Sequence, residues 1–437
     1  LQMIRSGGTM LKQVCWLAVA CSVVHAQERS IAGDWIVDFD YLGSKMYDRA
    51  LIQDANGSLS GSLLGQPFVG TRTGTKVSFH STNGSVSGEA IVTGDRFQGS
   101  EIIRLGPQDP HPLKLTFVAT RVPPRPARPP ITHDFTPSVF YRSFSALNPP
   151  ALHIAPGDTV RTETVDNAGV DGENIRRTAG GDPQTGPFYV DSAMPGDILA
   201  VHILKLTLNR DTAQSDDVIS YSAMNRDLAV MTKDNRSAVT WHLDRKRMVG
   251  WPENRSGHLS AFEVPLRPML GGVGTATIPG PPAPPTFDSS SSGGNIDFNE
   301  IEAGSTVYLP VNVPGGLLYI GDGHALQGDG ELNGSALETS MDVEFSVDLI
   351  SNKSIKTPRV ETSAYVAAIG FDGSVDGALR AATDGMADWL AKDYGLTPSE
   401  IGQVLGVAAE YRIAEVADRN AGVVLKIRKD LLMKLNK

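Results

Sequence analysis

Apolar and polar residues alternate along much of this chain, and that period of two marks half-buried strands. It is clear in Trp35-Ile-Val-Asp-Phe-Asp, where a run of short segments begins, separated by turn residues such as Asn56-Gly57. A small unit recurs there: Gly57-Ser-Leu-Ser-Gly61, Gly84-Ser-Val-Ser-Gly88 and Gly94-Asp-Arg-Phe-Gln-Gly99. Each is a turn glycine followed by a short strand. Residues 28–121 therefore predict a small β-meander or barrel domain. Acids and histidines do not cluster in it, so a structural appendage is expected before a glycan- or partner-binding module. Residues 122–137, with Val-Pro-Pro-Arg-Pro-Ala-Arg-Pro-Pro, form a basic proline-rich linker expected to be extended polyproline.

A second domain is expected over residues 138–437. Pro156-Gly157-Asp158, Pro195-Gly196-Asp197 and Ala303-Gly304-Ser305 each precede an alternating segment, and Pro-Gly is the signature of a type II turn. Asp158 and Asp197 are expected to serve those turns and nothing more. Met341, Val343, Phe345, Val347 and Leu349 alternate with polar residues, and Glu338 has the parity of the polar face. Asp322 and His324 share a face if their segment is extended. Near the C-terminus the period changes. Val375, Leu379, Ala382, Met386 and Trp389 fall at helical spacing, and Thr397-Pro398-Ser399-Glu400 is a capping box opening a second helix. Gly422 to Ile427 reads as a late strand. Residues 208–290 are less regular, with Trp241 and Trp251, and suit long loops that wall a pocket. The class is mixed α/β and β-rich, with C-terminal helices.

Composition narrows the partners. A chain of 437 residues suits two or more domains, and a net charge of −10 without a basic stripe excludes nucleic acid as a partner. The first 26 residues read as upstream sequence followed by a signal peptide. Met10 is the start, Lys12 the basic flank, and Val14 to Val24 an apolar run too short to span a membrane. Cleavage is expected after Ala26. A lipoprotein attached at Cys21 ranks second, because Ala18 stands where leucine is usual. Both cysteines, Cys15 and Cys21, lie in this segment. The mature protein, periplasmic or secreted, would hold no thiol, and that excludes disulfides, a cysteine nucleophile and cysteine-ligated metal.

The most polar stretch runs from Gly321 to Glu338: Gly-Asp-Gly-His-Ala-Leu-Gln-Gly-Asp-Gly-Glu-Leu-Asn-Gly-Ser-Ala-Leu-Glu. Carboxylates and an imidazole are ligands that zinc accepts, and an oxygen-rich set also suits calcium. Glycines let the backbone turn and approach an ion closely. No Gly-x-Ser-x-Gly elbow and no His-Glu-x-x-His motif occurs. Ser289 to Gly294 resembles the serine loop of amidase-signature enzymes but lacks their partner lysine. The pattern points to metal-assisted or general-base hydrolysis.

From Asn148 to about Ile427 the chain resembles the acetamidase/formamidase family. The resemblance lies in Pro149-Pro-Ala-Leu with Pro156-Gly-Asp-Thr-Val, Thr185-Gly-Pro-Phe-Tyr-Val with Ala193-Met-Pro-Gly-Asp197, Gly293-Gly-Asn-Ile-Asp297, and Gly321 to Glu331. It implies a β-sandwich-type α/β hydrolase domain, a homo-oligomer, and a divalent metal, zinc or calcium. It also implies hydrolysis of a carbon–nitrogen bond in a small linear non-peptide amide, releasing ammonia. Asp166, Asp322, His324 and Glu338 are the expected metal ligands. Glu331 is the expected general base, with Asp329 and Gln327 beside it in the same motif. Asn295 and Thr185 are the expected substrate contacts. Asp166 ends a strand in a glycine-containing turn and is equally suited to an Asx-turn. The chain departs from the family in having Tyr141 where many members carry a histidine, and in its export segment and extra β domain. A lactam or cyclic-amide substrate, or a non-catalytic exported protein binding metal and glycan, are the alternatives.

Overall fold

In the computed structural model the described residues are 30–435, apart from 42, 64, 107–108, 233–235 and 279–281. The expected signal peptide, its cleavage after Ala26 and the lipoprotein alternative at Cys21 lie outside them. Eight antiparallel strands from Gly33–Tyr41 to Leu113–Arg121 close into a barrel, the first pairing with the last from Trp35↔Arg121 to Phe39↔Phe117. Trp35, Val37, Leu59, Phe68, Phe79, Phe97 and Phe117 fill the interior. The second glycine of the recurring unit has a physical reason. A Cβ on Gly61 would stand 1.8 Å from the Leu51 carbonyl oxygen, and one on Gly99 would stand 2.3 Å from that of Glu89. The wall can therefore bend there only without a side chain.

Residues beyond the linker form two packed sheets and a further sheet of four strands, Thr212–Asp216, Ala238–Asp244, Val249–Pro252 and Val264–Pro265, in a stretch where long loops were expected. The larger of the packed pair has nine strands, with Ile198–Leu208, Met341–Ile350 and Thr306–Pro310 at its centre. The smaller has six, including Gln184–Val190, Leu318–His324, Met269–Thr275 and Gly293–Asn295. Phe188, Leu318 and Ile320 of the smaller sheet meet Leu199, Val201, Phe345 and Val347 of the larger in one core. The expected β-rich α/β class, with barrel and C-terminal helices, is borne out. Alternation along Met341–Ile350 buries the five predicted apolar residues. Helix Val375–Tyr394 buries Ala382, Met386 and Trp389 as predicted, but Val375 and Leu379 stay exposed, because Ala378, Gly385 and Leu390 carry the inner stripe instead. Thr397 and Glu400 close both hydrogen bonds of the capping box at the head of helix Pro398–Ala408.

Asp158 and Asp197 do more than turn the chain. Asp158 accepts two hydrogen bonds from the Arg128 guanidinium of the linker, at 2.7 and 2.6 Å, and one from the Ile131 backbone. Arg125 donates to the Leu349 carbonyl. The proline-rich segment is thus pinned along the second domain. Asp197 accepts from the Met194 and Asn352 backbones and from Arg49 of the barrel at 2.8 Å. Each carboxylate is buried, and local backbone donors together with an arginine from elsewhere in the chain compensate that burial.

Glu101 points into the apolar barrel and is 2% exposed. Burial, reinforced by Asp48, pushes its carboxyl from 4.5 up to about 7. A raised carboxyl binds its proton more tightly folded than unfolded, so this contribution to stability is complete below pH 4.5 and lost as pH rises through 7. Glu101→Gln is expected to abolish a fall of roughly 2–3 kcal/mol between pH 4.5 and 8, read from denaturant midpoints at several pH values. An unchanged pH slope in the variant would show that Glu101 is not the titrating group.

Candidate active site

The site is assembled on the smaller sheet. Strand Leu318–His324 lies between Met269–Thr275 and Gln184–Val190, with Gly321 opposite both Gly272 and Gln184. Asp322 and His324 share its inner face. After His324 the chain makes an excursion and returns, tied by hydrogen bonds between Ala325 and Leu337 and between Leu337 and Leu326. That closure sets Glu338 directly opposite His324. Within the excursion, turns at Gly328 and Gly334 hold Glu331 inward. The backbone of Asp297 reaches the same place by donating to the Gly271 carbonyl.

Five ionisable groups converge. Candidate ligand atoms of Asp297, Asp322 and His324 lie within 4.8 Å of one another, as do those of His324, Glu331 and Glu338. All five residues are buried. Both oxygens of Asp297, one each of Asp322 and Glu338, and Nε2 of His324 have no hydrogen-bond partner. Three of these acids sit in the left-handed backbone region that side chains avoid: Asp297 at φ 49°, Asp322 at 55° and Glu331 at 45°. Such strain collects where a scaffold holds functional groups against their preference.

The imidazole is oriented from behind. His324 Nδ1 lies 2.8 Å from Gln327 Oε1, an atom that only accepts, so Nδ1 carries the proton. Gln327 is itself held by donating to the carbonyls of Asp297 and Ala414. Nε2 is left facing Asp322 and Glu338, each at 3.4 Å. Burial opposes a charged ring, yet Glu338 and Asp322 overcome it and hold the His324 pKa well above its ordinary value. Burial likewise raises Asp297, Glu331 and Glu338 far above the usual carboxylate range. Acidic neighbours add to this, and His324 opposes it.

Asp322, His324, Gln327, Glu331 and Glu338 are thus brought together as the sequence suggested. Asp166 is a correction. Its Oδ1 accepts from the Ala168 and Val170 backbones, and its Oδ2 is 2.6 Å from Arg210, so the Asx-turn prevails and its oxygens are spent. Asp297 takes its place in the group. Asp329 turns outward into a fork with Arg412, which holds its pKa down against partial burial. Thr185 spends its hydroxyl on the Glu163 carbonyl. Asn295 donates to Asp418 at 3.0 Å and keeps its Oδ1 unpartnered.

Sequence reasoning missed Asp297, although it closes the Gly293–Asp297 motif. It also missed Asp182, Glu415 and Asp418, which carried no local signal. The same holds for Gly271 and Gly272. A Cβ on Gly271 would lie 2.3 Å from Asp322 Oδ2 and 2.5 Å from Asp297 Oδ1, and one on Gly272 would lie 2.3 Å from Gln184 Nε2. The glycine pair is the floor on which the side chains rest.

Comparison with known proteins gives a family likeness. Residues 280–430 match the model of the Acetamidase/Formamidase family, which takes in Asn295, Asp297, the whole polar stretch, Glu415 and Asp418. A Schizosaccharomyces pombe protein with a provisional formamidase name is 40% identical over 88 residues, 20% of this chain and 20% of its own length. An acetamidase of Mycolicibacterium smegmatis is 41% identical over 66 residues, 15% of this chain and 16% of its own. The chain's matched segments thus span a fifth or less of these two relatives. Among solved structures, one assigned as an acetamidase/formamidase from Thermoanaerobacter tengcongensis superposes with a TM-score of 0.60 at 25% identity, covering 70% of this chain and 98% of that one. The acetamidase of Yersinia enterocolitica gives 0.60 at 27%, covering 70% and 94%. The resemblance to the acetamidase/formamidase family is borne out.

Two glycine substitutions separate floor from loop. Gly271→Ala is expected to cost about 1–3 kcal/mol, because its methyl overpacks two carboxylates. Gly328→Ala, in the polar motif but exposed with nothing within 4 Å of its Cβ, is expected to stay within about 0.5 kcal/mol of the parent. Urea midpoints read both, and equal values would refute the role given to Gly271.

Proposed function

From that likeness we propose that this chain hydrolyses the carbon–nitrogen bond of a small linear amide, giving a carboxylate and ammonia, at the His324 cluster. The observation that carries the proposal is the set of buried, unpartnered donor atoms on Asp297, Asp322, His324 and Glu338. Buried polar atoms are ordinarily satisfied, and the three carboxylates of this set, with Glu331 beside them, repel one another. A divalent cation answers both requirements, so the residues fit one. Asp297, Asp322, His324 and Glu338 would hold it, and the imidazole favours zinc over calcium. When bound, such an ion polarises a carbonyl and makes water acidic enough to yield hydroxide near neutral pH.

The remaining chemistry falls to the chain. Glu331, raised by burial, is basic enough to take a proton from water as its oxygen bonds to the amide carbon. It returns that proton to the nitrogen as the carbon–nitrogen bond breaks, so ammonia leaves and the acyl group departs as a carboxylate. Gln327 keeps His324 in one tautomer and is a positioning residue. The apolar segment before Ala26 supports an exported enzyme.

Ammonia release from acetamide, propionamide and butyramide tests this directly. Chelation is expected to abolish turnover and zinc to restore it. Glu331→Gln is expected to lower kcat by about 10²-fold or more. Because the base must be deprotonated, the rate should fall as pH drops through the raised Glu331 pKa. Turnover that survives both chelation and Glu331→Gln would sink the assignment.

A further inference from the structure

Beside the His324 cluster lies a second acidic group, called the crevice below, that the hydrolytic step does not use: Asn295 bridges the cluster's Asp297 segment to Asp418, whose backbone donates to Glu415. Asp182, Glu415 and Asp418 line it, carried by the approach to strand Gln184–Val190 and by the turn between strands Glu410–Glu415 and Ala421–Arg428. Asp182 and Asp418 are partly exposed, so the group reaches the protein surface. It adjoins the reactive groups: the charges acting most strongly on Asp182 are Asp322, Asp418 and Glu331. Among the described residues no lysine or arginine lies within ion-pair distance of these three carboxylates. Arg236, the cation acting on Asp418, is paired to Asp216 at 3.1 Å.

Two buried amides point independently to a ligand. Asn295, 5% exposed, donates Nδ2 to Asp418 and leaves Oδ1 without a partner. Gln184, 0% exposed, donates Nε2 to the Asp182 carbonyl and leaves Oε1 without a partner. Glu415 adds an unpartnered Oε1, its other oxygen accepting from the Asp418 backbone. The free amide oxygens are acceptors, and so is every carboxylate oxygen once ionised. The complement is a group with several donors, no acceptor and a positive charge, which describes an ammonium. A bare metal ion fits less well, because among the described residues only the groups around His324 bring three ligand atoms within 4.8 Å.

We propose that Asp182, Glu415 and Asp418, with the amide oxygens of Asn295 and Gln184, bind an ammonium group on the substrate, so that the preferred amides carry a positive charge near the scissile bond. The inference deepens the amide-hydrolase proposal and rests on it.

Isosteric pairs test it. Glycinamide matches propionamide in shape, and β-alaninamide matches butyramide, but the first of each pair carries an ammonium near neutral pH. With the full chain and added zinc at pH 7, kcat/KM for the charged member is expected to exceed that of its neutral partner by about tenfold or more, shrinking as salt rises. Asp182→Asn and Asp418→Asn should each bring that ratio towards one. A ratio at or below one in the parent protein overturns the proposal while leaving amide hydrolysis intact. Inhibition by ammonium chloride without any preference within the pairs also overturns it, in favour of a seat for product ammonia. Calorimetric binding of the same pairs covers the case of no turnover at all. Tighter binding of glycinamide would then uphold the crevice while the catalytic proposal fails, and equal binding would refute the crevice.

Discussion

Everything around the site follows from one electrostatic constraint. Asp297, Asp322, Glu331 and Glu338 are buried together against a single imidazole. Moving charge out of water is costly, and like charges at this spacing repel, so the group persists only with protons or a cation to compensate. The fold meets the demand with rigidity. Three of the acids are held in left-handed backbone, Gln327 clamps the ring, and glycines 271 and 272 clear the space into which the carboxylates lean. None of these would be stable in an isolated loop. They persist because Leu318–His324 is a central strand of its sheet, anchored by Leu318 and Ile320 in the main core.

The same accounting of buried charge explains how the barrel is attached. Asp158 and Asp197 lie at the turns of strands in the second domain, each with backbone hydrogen bonds that cover part of its carboxylate. Arg128 of the linker and Arg49 of the barrel complete them. The proline-rich segment is thereby laid along the surface through side-chain partners, and its last residues depart from the expected polyproline: Thr132–Asp134 is a strand paired with Thr159–Glu163. A site rich in uncompensated acid and a docking surface rich in paired acid share one chain and follow one rule: a buried carboxylate keeps its place only with donors around it.

Legibility varied with the range of the interaction. Alternation along Met341–Ile350 and the Thr397 capping box were readable because each depends on neighbours within one element. Glu338 was readable as a partner of His324 because both lie in one glycine-rich motif. Asp166 misled, since an acid ending a strand before Ala168-Gly169 looks the same whether it faces a metal or closes an Asx-turn. Only Arg210, distant in sequence, decides between them. Val375 and Leu379 had the right spacing for a buried stripe and lie outside it, because the sheet meets the helix along Ala378, Ala382 and Gly385.

By itself the sequence determined the β-rich class, the barrel, the helical C-terminus and the motif that supplies the imidazole and most of its acids. These are local consequences of periodicity, turn chemistry and residue type. Tertiary structure alone decided that Asp297 joins the cluster, that Asp166 and Asp329 leave it for arginines, and that Asp182, Glu415 and Asp418 gather beside it. The physical reason is that a carboxylate's role depends on which donors and charges surround it, and strand pairing selects those from parts of the chain far apart.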